Sequence, residues 1–224
     1  MGTIKMVVFD MAGTTVDENN VVYKTLQKVI NKAGYNFSLA QVLTEGAGKE
    51  KLQAIKDIIA LEIAQPDDAT AKKIYNLFAD ELATAYDSFE IKPQPAAEET
   101  FEALRAKNIL VVLNTGYNEK TALGILEKLH WKTGNQIDGL ITATDVQNNR
   151  PQPDMILLAM QKFGIDNAGE VAKVGDSIID IEEGKNAGCG LSIGITTGAH
   201  TYQQLASANP NNIINNLSEL LPLI

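Results

Sequence analysis

Apolar runs and amphipathic stretches alternate along most of the chain. Residues 4–9 carry four consecutive apolar positions (Met6, Val7, Val8, Phe9) and read as a buried strand. Residues 109–114, 139–142, 170–176 and 190–195 read the same way. Between them, 96–107, 119–129, 153–163 and 178–187 have helical periodicity. Strands alternating with helices of about 10–13 residues predict a parallel α/β sheet. The pattern differs from 18 to 90. Val22, Leu26, Val29, Ile30 and Ala33 recur at helical spacing, with Asn19 or Asn20 as a candidate cap. A second helix reads over 49–61, and a third runs from Asp67 or Asp68 to about Tyr86. No strand reads there. The expected fold is a Rossmann-like parallel α/β core of 1–17 and 91–224, interrupted by a helical cap of 18–90.

Polar residues follow the strands in a telling way. Asp10, Asn114–Thr115 and Asp176 each end a buried apolar run. In an open parallel sheet, ligands bind beyond the carboxyl ends of the strands. Asp10, Thr115 and Asp176 are therefore expected to converge, with Asp180 one helical turn further on. Converging carboxylates suit Mg²⁺, a hard cation that takes oxygen ligands. The turn at Gly13 and a helix start after Thr115–Gly116 could cradle phosphate oxygens. Arg150, in a loop before Pro151, could clamp the same oxygens. A carboxylate placed like Asp10 can attack phosphorus.

Composition narrows the partners. Nineteen basic against 28 acidic residues give a net charge of −9, with no basic stripe. That argues against nucleic acid and anionic membranes, and a small phosphorylated or phosphonate substrate would need one or two local cations or a metal to hold it. Cys189 is the one cysteine, which suits a reducing cytosol. No apolar run approaches membrane-spanning length, and no signal-like stretch precedes Asp10. A cytoplasmic location is expected.

Four motifs in order resemble the haloacid-dehalogenase superfamily with a cap inserted after the first. They are "FDMAGTTVD", "VVLNTGY", "NNRPQP" and "VGDSIIDIEEGKNAG". The resemblance implies Asp10 as nucleophile, Thr115 and Gly116 as phosphate binders, and Arg150 as the cation where lysine is commoner. It implies Mg²⁺ held by Asp10, the backbone carbonyl of Ala12 and Asp176, with Asp180 supporting. Most family phosphatases carry a proton-donating Asp two residues after the nucleophile; here that residue is Ala12. Alanine there, Arg150 and Tyr117 resemble the phosphonoacetaldehyde hydrolase branch. In that branch a cap lysine forms a Schiff base with the substrate aldehyde, and C–P cleavage leaves an enamine. "AGKEKLQA" (47–54) is similar to the segment bearing that lysine, with Gly48 and Lys51 in register and Lys49 as a rival. Ala47 and Ala54 stand where the branch has methionine and histidine. The resemblance also makes a homodimer through the cap plausible.

Plainer readings stand beside these. Asp10 could be a turn former, Asp180 a first-turn helix acid, Thr115 an N-cap and Arg150 a loop arginine. Lys49, Lys51 and Lys56 could be solvated charge. "GAGKEK" lacks the first glycine and the Ser/Thr of a phosphate-binding loop. His130 and His200 read as structural or surface residues, Trp131 as packing and Cys189 as a small buried residue. Three functions remain open: a phosphonatase-like hydrolase, a phosphatase without its usual acid, and a non-catalytic metabolite sensor.

Overall fold

The structure is a computed structural model that describes residues 3–88 and 90–224. Six parallel strands form the main sheet: β1 (Met6–Phe9), β4 (Leu110–Thr115), β5 (Gly139–Thr142), β6 (Val171–Gly175), β7 (Leu191–Ile195) and β8 (Asn212–Ile214). Their spatial order is β5-β4-β1-β6-β7-β8. The chain runs outward from β1 through β4 to β5, then returns to β6 on the other side of β1. That reversal places a crevice over the carboxyl ends of β4, β1 and β6.

Both faces of the sheet are covered, which is why its strands read as continuous apolar runs. Val7 and Phe9 point into one core, while Met6 and Val8 point into the other. The first core takes α5 (Ala97–Ala106), α6 (Glu119–Lys128) and the C-terminal 3₁₀ turns. Phe9, Phe101 and Trp131 form an aromatic row with centroid spacings of 5.5 and 5.2 Å. Trp131 is thus a packing residue, its indole N–H donating to Glu98. The second core takes α7 (Asp154–Phe163). Helix α8 (Ile178–Asn186) packs on β6 and β7, and α9 (Tyr202–Ser207) on β7 and β8. No helix among the described residues is long and apolar enough to cross a membrane.

Among the described residues the insertion after β1 carries four helices before α5: α1 (Val21–Lys32), α2 (Leu39–Gly46), α3 (Lys51–Ala60) and α4 (Asp68–Ser88). Two short strands flank them, β2 (Val16–Asp17) and β3 (Lys92–Pro93), paired antiparallel with Val16 opposite Pro93. This ribbon ties the two ends of the helical insertion together. Asp67 caps α4, accepting from the backbone of Ala69 and Thr70. The start of α1 departs from expectation. Asn20 holds the cap position in a left-handed conformation without a side-chain bond. The Glu18 carboxylate accepts from Val22 N instead, at 2.9 Å. Helix α2 escaped the sequence reading because it is short and buries only Val42 and Gly46. Cys189 is half-buried and precedes β7, so it is less enclosed than expected.

Deleting the middle ring of the aromatic row leaves a cavity that the sheet cannot close. Phe101→Ala is expected to lose about 3–5 kcal/mol of unfolding free energy. Urea titration followed by tryptophan fluorescence would read this directly.

Candidate active site

Strand β1 delivers Asp10 to the crevice, β4 delivers Asn114 and Thr115, and β6 delivers Asp176. Asp180 follows in the first turn of α8. One oxygen from each of Asp10, Asp176 and Asp180 lies within 4.8 Å of the others. The loop before α7 sends Arg150 into the same space. Its Nη1 is 2.6 Å from Asp10 and 3.1 Å from Asp180, and its Nε is 3.0 Å from Glu183. Its Nη2 donates to the Asn114 backbone and side-chain oxygens at 2.8 and 2.7 Å. Arg150 is therefore no ordinary loop residue, and its donors face Asp10 rather than solvent. Lys173, in the middle of β6, reaches Asp180, Glu183 and Asn114 at 2.9, 3.2 and 2.6 Å.

Charge in this crevice does not balance. Asp10, Asp176, Asp180 and Glu183 are all buried, as are Arg150 and Lys173. Four carboxylates thus face two cations, an excess of two negative charges out of water. The strain falls on Asp176. Burial raises its carboxyl well above the usual range, and the neighbouring Asp10 and Asp180 add to the rise. Burial also raises Asp10, with Arg150 acting against it. Asp180 is lowered despite burial because Arg150 and Lys173 stand beside it. Three clustered oxygen donors and a deficit of two positive charges fit a divalent cation. Ala199 N and Thr14 Oγ1 donate to Asp176, and Ser177 Oγ donates to Asp180.

Thr115 is buried, and its Oγ1 accepts from Tyr117 N at 3.2 Å; Asn118, not Thr115, caps α6. A side chain at Gly116 would meet the Lys49 backbone oxygen at 2.7 Å, so the insertion loop 47–50 sits directly on this turn. Gly48 has φ +72°, and its Cα faces Ser177 and Ile179 of the core too closely for a Cβ. Gly48 N donates to the Tyr23 hydroxyl at 3.0 Å. Ala12 lies at the turn beyond Asp10, where it bridges to Val16.

The lysines separate clearly. Lys49 pairs with Asp57 and Lys56 with Asp68. Lys51 is 6 % exposed, and its Nζ donates to the Lys49 backbone at 2.8 Å. It lies 5.3 Å from the centroid of the Tyr23 ring and 5.5 Å from that of Tyr117. Burial lowers its ammonium to about 8, with Asp10 resisting the shift. Lys51, Tyr117, Gly116 and Asn149 line a cavity of about 280 Å³ between the insertion and the core. The solvated-charge reading fails for Lys51.

Several residues here went unread in the sequence. Lys173 carried a usable signal, a cation inside an otherwise apolar strand. Glu183, Tyr23 and Tyr86 had none, because their partners are 25 to 69 positions away. His200 is structural: its Nδ1 accepts from Ile178 N at the start of α8. His130 is exposed.

Removing Lys173 would leave buried carboxylates short of a partner. Lys173→Met is expected to cost about 3–5 kcal/mol, measured by denaturant unfolding. Divalent cations should recover part of that loss if they bind the acidic cluster.

Comparison with known proteins agrees with this arrangement. The haloacid dehalogenase-like hydrolase profile matches residues 4–188. A phosphonoacetaldehyde hydrolase of Parabacteroides distasonis is 32% identical over 89% of this chain and 79% of that protein. One from Latilactobacillus sakei subsp. sakei is 29% identical over 98% of this chain and 94% of that protein. Among solved structures, a phosphonoacetaldehyde hydrolase-like protein from Oleispira antarctica superposes with a TM-score of 0.85. It is 23% identical, and the match covers 99% of this chain and 91% of that one. The chain belongs to the haloacid dehalogenase-like hydrolases, in their phosphonatase-like branch.

Proposed function

We propose that the chain is a Mg²⁺-dependent hydrolase that cleaves the C–P bond of phosphonoacetaldehyde or a related phosphonoaldehyde. One observation carries this reading. A buried amine, Lys51, lies in the same cavity wall as Tyr117 and within electrostatic reach of Asp10. A phosphatase has no evident use for a desolvated amine there. Carbonyl chemistry does, because the attacking lysine must be neutral.

In this reading residues 1–17 and 91–224 are the catalytic core and 18–90 the cap. Asp10, Asp176, Asp180 and the Ala12 carbonyl would hold Mg²⁺, which supplies charge neutralisation between the carboxylates and the phosphoryl oxygens. Thr115, Gly116 and Arg150 bind those oxygens. Lys51 condenses with the aldehyde to an iminium. Asp10 then attacks phosphorus, and the C–P electron pair flows into the iminium as an enamine. No oxygen leaving group needs a proton at the Ala12 position, which accounts for the methyl there. Water hydrolyses the aspartyl-phosphate, and the enamine is protonated on carbon and hydrolysed to release Lys51.

The test is a side-by-side screen of phosphonoaldehydes and phosphate esters. Borohydride added with phosphonoacetaldehyde should place a reduced adduct on Lys51, located by peptide mass spectrometry. Lys51→Ala should lower C–P cleavage by about 10²-fold or more, and Asp10→Asn and chelation with EDTA should abolish it. Turnover of aryl phosphates unchanged in Lys51→Ala, with no adduct from any phosphonoaldehyde, would favour a phosphatase instead.

A further inference from the structure

Imine formation with Lys51 consumes a proton. The neutral amine adds to the carbonyl carbon, and one of its protons moves to the oxygen. The carbinolamine then loses that oxygen as water, which needs a second proton from outside the reacting pair. Three candidates for the donor are already engaged. Asp10 is the nucleophile. Arg150 is locked to Asp10, Asn114 and Glu183. The Glu50 carboxylate accepts from Leu52 N and Gln53 N as the cap of α3. Ala54, one turn after Lys51 on the same helix, is buried and carries only a methyl. Both histidines lie elsewhere, His200 at the start of α8 and His130 on the surface.

Of the charged groups acting on Lys51, Glu18 remains, and it is wired to the cavity through two tyrosines. The Tyr86 hydroxyl lies 3.3 Å from Glu18 Oε2 and 2.9 Å from the Tyr117 hydroxyl. Tyr117 shares the cavity wall with Lys51. All three residues of this chain are buried. We propose that Glu18, Tyr86 and Tyr117 form a proton relay that feeds the carbinolamine of Lys51, an inference that rests on the Schiff-base reading above. Tyr117 passes its proton to the departing hydroxyl, Tyr86 passes one to Tyr117, and Glu18 passes one to Tyr86. Water leaves, the C–O pair goes with it, and Glu18 is left as a carboxylate. Hydrolysis of the product iminium runs the relay backwards and recharges Glu18. Tyr117 is the catalytic residue of the three; Glu18 and Tyr86 act through it.

The protonation states suit this task. Burial lifts Glu18 to about 7, against hydrogen bonds from Val22 N and Tyr86 and the charge of Lys51, while Asp17 pushes the same way as burial. Both of its forms are therefore populated near neutral pH. Burial raises Tyr86 and Tyr117 well above their usual range, so they stay neutral hydroxyls that can donate and accept at once. The charged groups facing Lys51 are Asp10, Glu50, Arg150 and Glu18.

A helix cap alone would also explain Glu18, and Glu18→Gln separates the two roles. Glutamine keeps an acceptor for Val22 N and Tyr86 but cannot titrate. The readout is the pre-steady-state rate of borohydride-trapped adduct on Lys51, with phosphonoacetaldehyde, from pH 5.5 to 9.5. The wild-type rate should be bell-shaped: it rises as Lys51 loses its proton through about 8 and falls as Glu18 loses its own through about 7, giving a maximum between. Glu18→Gln should lower the maximum by about 10²-fold and leave only the rising limb. Tyr86→Phe, which cuts the middle link, should slow trapping similarly, with the thermal midpoint of both variants near that of the wild type. A wild-type-like rate and bell in both variants would overturn the relay and leave the Schiff base standing. No adduct in the wild type would overturn both.

Discussion

Everything at the carboxyl end of the sheet answers to one electrostatic constraint. Asp10, Asp176, Asp180 and Glu183 are held out of water with only Arg150 and Lys173 to offset them. Burying unpaired charge is among the most destabilising things a fold can do. The chain tolerates it through a tightly shared set of donors. Asn114 gives its amide to both Glu183 oxygens and takes Arg150 and Lys173 on its own carbonyl oxygen. The network fixes the guanidinium in place and leaves Asp176 as the acid with least relief. An arrangement short of two positive charges is poised to take up a divalent cation.

The helical insertion completes the site at the one place where backbone meets backbone. Gly48 and Gly116 remove the two side chains that would hold the loop 47–50 off the core. Tyr23 then fixes the loop by accepting from Gly48 N. This contact is what buries Lys51. Any opening of the insertion would rehydrate the amine and return it toward an ordinary lysine, since desolvation is the largest cause of its shift. The loop contact and the lowered ammonium of Lys51 therefore depend on each other.

Much of this was legible in the sequence. The parallel sheet showed because strands covered on both faces are continuous apolar runs, and the strand-end acids showed because they interrupt those runs. Asp10, Asp176, Asp180 and Arg150 do meet in the crevice. The misses have physical causes. Strands β2 and β3 are two residues each, too short to show periodicity. Asn20 looked like a helix cap, but the carboxylate of Glu18 reaches past it to Val22. Lys49 and Lys51 are chemically identical in sequence, and only the direction of α3 sends one to Asp57 and the other inward.

Two methyl groups sharpen the chemistry more than any charged residue. Ala12 leaves the strand tip with no acid beside Asp10, and Ala54 leaves the helix face beside Lys51 with no base. The site therefore lacks an acid two residues after Asp10, where an ester's departing oxygen would look for its proton. It can still run a reaction whose leaving electrons are stored in an iminium. Imine formation then needs a proton at the amine, and the Tyr117 ring lies 5.5 Å from it, its hydroxyl paired with that of Tyr86 and both raised above their usual range by burial. In the proposed relay such neutral hydroxyls both accept and donate. Their value depends on an ionisable partner at the far end, and the fold supplies one by bringing Glu18, at the start of the insertion, against Tyr86 near its end. The ribbon joins the two ends of the insertion, and Glu18, just after its first strand, sits beside Tyr86, the middle link of that path.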